Sequence, residues 1–158
     1  MNKKTYIAPN ATITGDVVLG KDVSIWYGAV LRGDSGRITV GEGTNIQDNC
    51  VLHEETAIGN FCTVGHGAIV HGCTIGDNCV IGMGSILLTG AVLEENCLVG
   101  AGAVVTGKTR AGAGSVLLGN PAKVVKTLSP EQIEAQRRSA EHYIEAGRTA
   151  FGQAKRSG

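Results

Sequence analysis

The fold is decided by residues 75–105, which read IGDNCV-IGMGSI-LLTGAV-LEENCL-VGAGAV-V when they are divided into steps of six. Each step opens with an aliphatic residue, and the residue four positions later is small. The aliphatic positions begin earlier in the chain, as Ile7, Ile13, Leu19, Ile25, Leu31, Val40, Ile46, Leu52, Ile58, Val64 and Val70. Neither helices nor ordinary strands produce this spacing, so it predicts a repeat architecture.

A short strand followed by a tight corner every six residues builds a coil with three faces. Equivalent strands of successive coils then lie about 4.8 Å apart. The aliphatic residue fills the interior, and the small residue packs where the chain turns. The sequence therefore predicts an all-β fold, a parallel β-helix in which stacked repeats share one core.

The period is interrupted twice. Three extra residues precede Val40, and one residue is missing before Ile75. Counting four positions from the preceding aliphatic residue assigns Ser35 and Thr74 to the small position in these two steps. Interruptions of this kind predict a loop or a reshaped corner.

The five cysteines are predicted to be reduced packing residues. Four of them, Cys50, Cys62, Cys79 and Cys97, occupy the small position, and only Cys73 lies outside it. Their number is odd, and no secretory signal is recognisable before them, which argues against disulfides. A catalytic thiol is the weaker hypothesis.

The coil is predicted to end at Gly119-Asn120-Pro121-Ala122, because Pro121 cannot continue a central ladder. Residues 1–128 then form the β-helix domain, and residues 129–158 form a C-terminal helix that packs on the coil.

The helix is predicted from its N-terminal signals, which are Ser129 as N-cap, Pro130 in the first turn and Gln132 as the reciprocal partner. We expect about twenty helical residues. The residues expected to share its packing face are Ile133, Arg137, Ala140 and Ile144. His142 is expected to face solvent.

Composition limits the partners. Lys and Arg number 14, as do Asp and Glu, so the net charge gives no reason to expect a nucleic acid or an anionic membrane surface. Residues 1–11 contain no uninterrupted apolar stretch, so neither a secretory signal nor a membrane span is predicted. We therefore expect a cytoplasmic protein that binds small molecules or copies of itself.

Three of the four histidines fall in one short part of the coil. His53 and His71 are 18 residues apart, which is one full circuit, and each follows an aliphatic position. They are predicted to stack on one face, whereas His66 lies near a different corner. A catalytic Zn²⁺ needs three protein ligands and an open position, so a neighbouring subunit is needed to bring His66 to the pair. Exposed, solvated histidines are the alternative.

Several motifs together resemble the gamma-class carbonic anhydrases and their relatives, from Ile7 to the C-terminal helix. The motifs are Arg32-Gly33-Asp34, Asn45-Ile46-Gln47-Asp48-Asn49, His53, Gly65-His66 and His71-Gly72-Cys73. They are more specific than hexapeptide repeats alone, which many acyltransferases share. The resemblance implies a left-handed coil, a homotrimer and the reversible hydration of CO₂ to bicarbonate.

The same resemblance implies roles for single residues. Zn²⁺, or Fe²⁺ in the same ligand set, would be held by His53 and His71 of one subunit and His66 of the next. Gln47 and Asn45 would position the reacting water or bicarbonate.

Other residues would serve the interface and proton transfer. By the resemblance, Arg32 and Asp34 would pair across the interface, and Asp48 would help to order it. The best-known active member carries a glutamate shuttle on an acidic loop, whereas here Ser35 follows Asp34. The residues that could replace the shuttle are Glu54 and Glu55, and whether Tyr143 reaches the site stays open.

Two other functions share this fold. One is transfer of an acyl group from coenzyme A, with a histidine as general base. These enzymes usually have a long protruding loop, and the longest interruption here is three residues. The other is a metal-binding trimer that acts as a scaffold without turnover.

Overall fold

The computed structural model describes residues 4–152 as one parallel β-helix followed by one α-helix. The elements in chain order are β1 (Tyr6–Ile7), β2 (Thr12–Leu19), β3 (Ser24–Ile25), β4 (Val30–Val40), β5 (Asn45–Ile46), β6 (Val51–His53), β7 (Thr56–Ile58), β8 (Thr63–Val64), β9 (Ile69–His71), β10 (Thr74–Ile75), β11 (Val80–Ile81), β12 (Ile86–Leu87), β13 (Val92–Leu93), β14 (Leu98–Val99), β15 (Val104–Val105), β16 (Arg110–Ala111), β17 (Ser115–Gly119), β18 (Ala122–Thr127) and α1 (Pro130–Phe151).

The strands form three sides. One side is the eight-stranded sheet β1-β3-β5-β8-β11-β14-β17-β18. The other two sides are joined by the long strand β4 into a ten-stranded sheet, with β6, β9, β12 and β15 on one arm and β7, β10, β13 and β16 on the other. Successive coils pair in parallel, with Leu52 opposite Val70 for example. The predicted fold class, a parallel β-helix with a C-terminal helix, is confirmed.

The interior is a column of aliphatic side chains. The largest that are fully buried include Ile25, Leu31, Ile46, Leu52, Ile81, Leu87, Leu93 and Leu117. Burying one such side chain stabilises the fold by about 1.5–3 kcal/mol. Ile7 is 39% exposed because it belongs to the first coil, which has no coil beneath it.

Two residues predicted for the small position at the corner are wrong. Ser35 and Thr74 are exposed, and Ile38 and Cys73 are buried in their place. Ile38 and Cys73 each lie two residues before the next aliphatic position, so the interior register is set by the residue that follows the corner. All five cysteines are therefore buried and free, including the one expected outside the repeat.

The coil ends in an antiparallel hairpin rather than in a simple stop. Gly119 and Ala122 pair with each other, and β18 returns along β17 with Ser115 opposite Thr127. Pro121 lies in the turn, which agrees with its exclusion from a central ladder. The strand β18 was not predicted.

Helix α1 packs along the outside of the eight-stranded sheet, where it contacts β1, β3, β5 and β8. The predicted capping box is confirmed, since Ser129 Oγ accepts from the Gln132 backbone N–H at 3.2 Å and Gln132 Oε1 accepts from the Ser129 N–H at 2.9 Å. Residues 1–3 and 153–158 lie outside the described residues. Residues 153–158 were predicted to belong to the helix domain.

The helix face differs in part from the prediction. Ala140 is buried as expected, while Arg137 is exposed and lays its guanidinium 3.4 Å from the centre of the Phe61 ring. The buried helix residues that were missed are Gln136 and Gly147. A Cβ on Gly147 would lie 2.8 Å from Ser24 Cβ, so the helix backbone lies close to the coil there. His142 is exposed, as predicted.

Candidate metal centre

The predicted stacking of His53 on His71 is confirmed, because the two residues are register partners on β6 and β9. His53 Nδ1 lies 3.3 Å from His71 Nε2. The other nitrogen of His71, Nδ1, lies 2.8 Å from Thr89 Oγ1. Two ring nitrogens of adjacent coils therefore face each other.

The other side of the His53 ring meets the first interruption of the repeat. Its Nε2 lies 3.0 Å from Asp34 Oδ1, 3.0 Å from Ser35 Oγ and 3.1 Å from an Arg32 guanidinium nitrogen. Arg32 Nε also lies 3.6 Å from Asp34 Oδ1. Within one chain, Arg32 and Asp34 therefore both lie beside His53, and their pairing across an interface stays a prediction.

Charge at this point favours the ionised form of Asp34. The hydrogen bond with His53 lowers the pKa of Asp34, and the positive charge of Arg32 lowers it further. Desolvation opposes both but is outweighed. Ser35, which is exposed instead of packed at the predicted small position, makes polar contacts here, since its hydroxyl donates to Glu54 Oε1 at 3.1 Å.

Glu54 follows His53 at the corner with a positive φ of 61°. His53, Glu54 and His71 each offer one ligand atom, and these atoms lie within 4.8 Å of one another. This is the only such group of three found among residues 4–152. Glu55 lies in the wall of an adjoining groove of about 480 Å³, which Thr89 also lines.

His66 lies at a different corner, in the turn between β8 and β9. Its Nδ1 lies 2.9 Å from Asp48 Oδ2, and its side chain is 50% exposed. His66 is not among the residues whose ligand atoms lie within 4.8 Å of one another, which are His53, Glu54 and His71. One chain therefore does not bring the three imidazoles together, as the sequence predicted.

Gln47 and Asn45 lie on the same side as His66 and away from His53. Gln47 Nε2 donates to Asn45 Oδ1 at 3.1 Å, and Asn45 Nδ2 donates to Thr63 Oγ1 at 3.0 Å. Both amide side chains are buried. Because each is held by its neighbours, their polar atoms have fixed directions.

Tyr143 of α1 reaches this second region. With Gln47 and His66, it lines an apolar groove of about 350 Å³. Desolvation raises the pKa of Tyr143 and the negative charge of Asp48 acts in the same direction, while a hydrogen bond with Gln47 opposes them. The sequence left the position of Tyr143 open, and the packing of α1 places it beside His66.

Thr89 is the contact of the histidine pair that sequence reasoning missed. It lies 18 residues after His71, which is one circuit of the coil, so the same spacing that paired His53 with His71 could have found it. Threonine is common at the corners of the repeat, and nothing else in the sequence distinguishes this one.

Known proteins place the chain in a family. The bacterial transferase hexapeptide family, described as six repeats, matches residues 72–107. Gamma carbonic anhydrase 2 of Arabidopsis thaliana, a mitochondrial protein, is 44% identical over 154 residues, which cover 91% of this chain. A Methanocaldococcus jannaschii protein named "Probable carbonic anhydrase" is 42% identical over 153 residues, covering 94% of this chain and 96% of that protein. The chain belongs to the gamma-carbonic-anhydrase-like family of hexapeptide-repeat proteins.

The relatives differ in how much of their length this chain covers. The chain spans 55% of the length of the Arabidopsis relative. A crystal structure of a hexapeptide transferase family protein from Anaplasma phagocytophilum is 47% identical, with a TM-score of 0.92, over 95% of this chain and 91% of that one. The relatives thus support a carbonic-anhydrase-like function and leave acyl transfer open. None of the described helices is both long and apolar enough to cross a membrane.

Proposed function

We propose that this protein is a metal-dependent, carbonic-anhydrase-like enzyme that interconverts CO₂ and bicarbonate at sites between the subunits of a homotrimer. The observation that carries the proposal is the separation of 3.3 Å between His53 Nδ1 and His71 Nε2. This separation is long for a hydrogen bond with a nitrogen donor, since N–H···O bonds in proteins are most often about 2.9–3.0 Å. Two nitrogens bound to one tetrahedral Zn²⁺ at about 2.0–2.1 Å lie about 3.3 Å apart.

The donor set therefore fits Zn²⁺, and the same nitrogens also suit Fe²⁺. A bound Zn²⁺ supplies a Lewis acid that makes water nucleophilic near neutral pH. A threefold assembly of equivalent subunits gives equivalent sites at its interfaces.

The third ligand distinguishes two versions of the centre. In the version we favour, His66 of the next subunit completes the set, because its Nδ1 is occupied by Asp48 and its Nε2 is left for a cation. In the other version Glu54 of the same chain completes it, since its carboxylate oxygen lies 3.9 Å from His53 Nδ1. The two versions differ in whether a monomer binds the metal.

The remaining residues orient groups and move protons. Asp34, Arg32 and Ser35 fix the His53 ring from its Nε2 side. Gln47, held by Asn45 in the groove that it shares with Tyr143, would orient a bicarbonate oxygen there. Ser35 donates to Glu54, so these two residues form a route for a proton away from the site.

Metal analysis combined with a CO₂ hydration assay tests this function. We expect one metal ion per chain, and turnover that is lost with its metal in His66→Ala but kept in part in Glu54→Gln. His142→Ala, at an exposed helix position, is the matched histidine control and should keep both. Full metal content in His66→Ala together with loss in Glu54→Gln would contradict the shared site and support the one-chain version.

Acyl transfer is the second candidate, and one observation favours it. His66 pairs with Asp48 beside the apolar groove of about 350 Å³, an arrangement that suits a general base next to an acyl carrier. Saturable binding of acetyl-coenzyme A to the metal-free protein would support this candidate. Stoichiometric metal without turnover of either substrate would point to a scaffold.

A further inference from the structure

Thr89 contacts His71 of the histidine pair, and it was not among the predicted site residues. It lies in the turn between β12 and β13, and its hydroxyl oxygen is 2.8 Å from His71 Nδ1. No other hydrogen bond of this hydroxyl is found among residues 4–152. The contact is shorter than the separation of 3.3 Å between His71 Nε2 and His53 Nδ1.

The backbone beside His71 is shaped to admit this threonine. Gly72 has a φ of +67°, and a Cβ built on it would lie 2.7 Å from Thr89 Oγ1 and 2.9 Å from Thr89 Cγ2. Any larger residue at position 72 would therefore push the hydroxyl away from the ring. Two positions on successive coils, a glycine and a threonine, are needed to make one contact.

We propose that Thr89 is a positioning residue for His71. Its hydroxyl accepts a hydrogen bond from the Nδ1–H of His71, which leaves the lone pair of that ring on Nε2, the atom that faces His53. Neutral imidazole has one N–H and one lone pair, so fixing one nitrogen fixes the role of the other. This inference rests on the proposed function, because the freed nitrogen is the one assigned to the metal.

The partner of His71 differs in charge from the partner of His66. Asp48 is a carboxylate, whereas Thr89 offers a neutral hydroxyl. The two histidines are thus held in the same way, through Nδ1, but only one of them by a charged group.

Zinc affinity of the full-length protein, measured by competition with a chromophoric chelator, is the first test. Removing such a partner typically weakens metal binding about 10- to 100-fold, and we expect this for Thr89→Val, which keeps the shape and removes the hydroxyl. Thr89→Ser should restore affinity to within about threefold of the wild type. Thr74→Val changes an exposed threonine in the wall of the same groove and should bind like the wild type.

The ring nitrogen shifts of His71 in the metal-free protein form the second test, and they do not depend on metal binding. We expect the Nδ1–H tautomer in the wild type and in Thr89→Ser, and a shift toward the Nε2–H tautomer in Thr89→Val. Unchanged shifts in Thr89→Val would overturn the inference even if zinc binds. If the wild type binds no zinc but the tautomer shifts, the proposed function fails and the role of Thr89 stands.

Discussion

The histidines near the two ends of strand β9 lie in unlike surroundings. At its C-terminal end, His71 stacks on His53 among exposed polar groups, with Asp34 and Arg32 close by. Just before its N-terminal end, His66 lies beside buried amides and the aromatic ring of Tyr143. We call these the pair face and the single-histidine face.

Each face has what the other lacks. The pair face has two imidazole nitrogens 3.3 Å apart, but the charged side chains around it are exposed at the surface. The single-histidine face has rigid amide donors and apolar walls but one imidazole. Rigid polar groups and excluded water favour catalysis, so the proposed site would combine both faces, one from each of two subunits.

The largest expected effect comes from mixing two inactive chains. His66→Ala damages only the single-histidine face, and His71→Ala damages only the pair face. When the two chains assemble at random into trimers, about one quarter of the interfaces receive an intact face from each chain. We expect each variant alone to be inactive and the refolded mixture to recover about one quarter of wild-type CO₂ hydration per interface.

The control mixture carries both lesions on one face. His53→Ala and His71→Ala chains leave no interface with an intact pair face, so their mixture should stay inactive. Equal recovery in both mixtures, or recovery in neither, would show that the two faces do not meet in one site.

A smaller effect compares the thiols behind the two faces. Cys50 Sγ donates to the carbonyl of Gly65, next to His66, and Cys73 Sγ donates to the carbonyl of His71. Desolvation raises the pKa of each thiol to about 11. Since the folded-state pKa lies above the unfolded value, the stabilisation is present below about pH 9 and is lost as the pH rises towards 11.

Urea unfolding at pH 8 and pH 10.5 measures this loss. We expect each thiol to contribute about 2 kcal/mol to the decrease in the free energy of unfolding between these limits. Cys50→Ala and Cys73→Ala should therefore show similarly weaker pH dependence, whatever their cost at pH 8. If only one of the two variants shows a weaker pH dependence, the thiol removed in the other variant is not desolvated. Water would then reach the core behind that face.

The sequence predicted the fold because its signal is repeated at nearly every step. It failed at Ser35 and Thr74, which were assigned by counting from the residue before an interruption. The core is built from the residue after it, because Ile38 and Cys73 must stay in register with the coils on either side. The hairpin strand β18 was missed, since it follows no hexapeptide period.

For the candidate site, the sequence predicted contacts between residues one circuit of the coil apart and few others. The spacing of 18 residues predicted that His53 stacks on His71. It did not show that Arg32 and Asp34 surround His53 within one chain, because the excursion after Arg32 has no counterpart in the repeat. The position of Tyr143 depends on how α1 docks, which no local pattern specifies.

The smallest expected effect comes from weakening the N-cap of α1, which should affect the two faces unequally. Ser129→Ala removes the oxygen that accepts from the Gln132 N–H at 3.2 Å and should lower the free energy of unfolding by about 1 kcal/mol. Ser129→Asp keeps an acceptor and should stay near the wild type. Because α1 carries Tyr143, which is not a proposed ligand, a loosened helix disturbs Tyr143 before it reaches His66 or His53. We therefore expect hydration to fall more than zinc content in Ser129→Ala. Equal losses of hydration activity and zinc content would contradict this expectation. They would mean that the helix also holds the metal ligands in place.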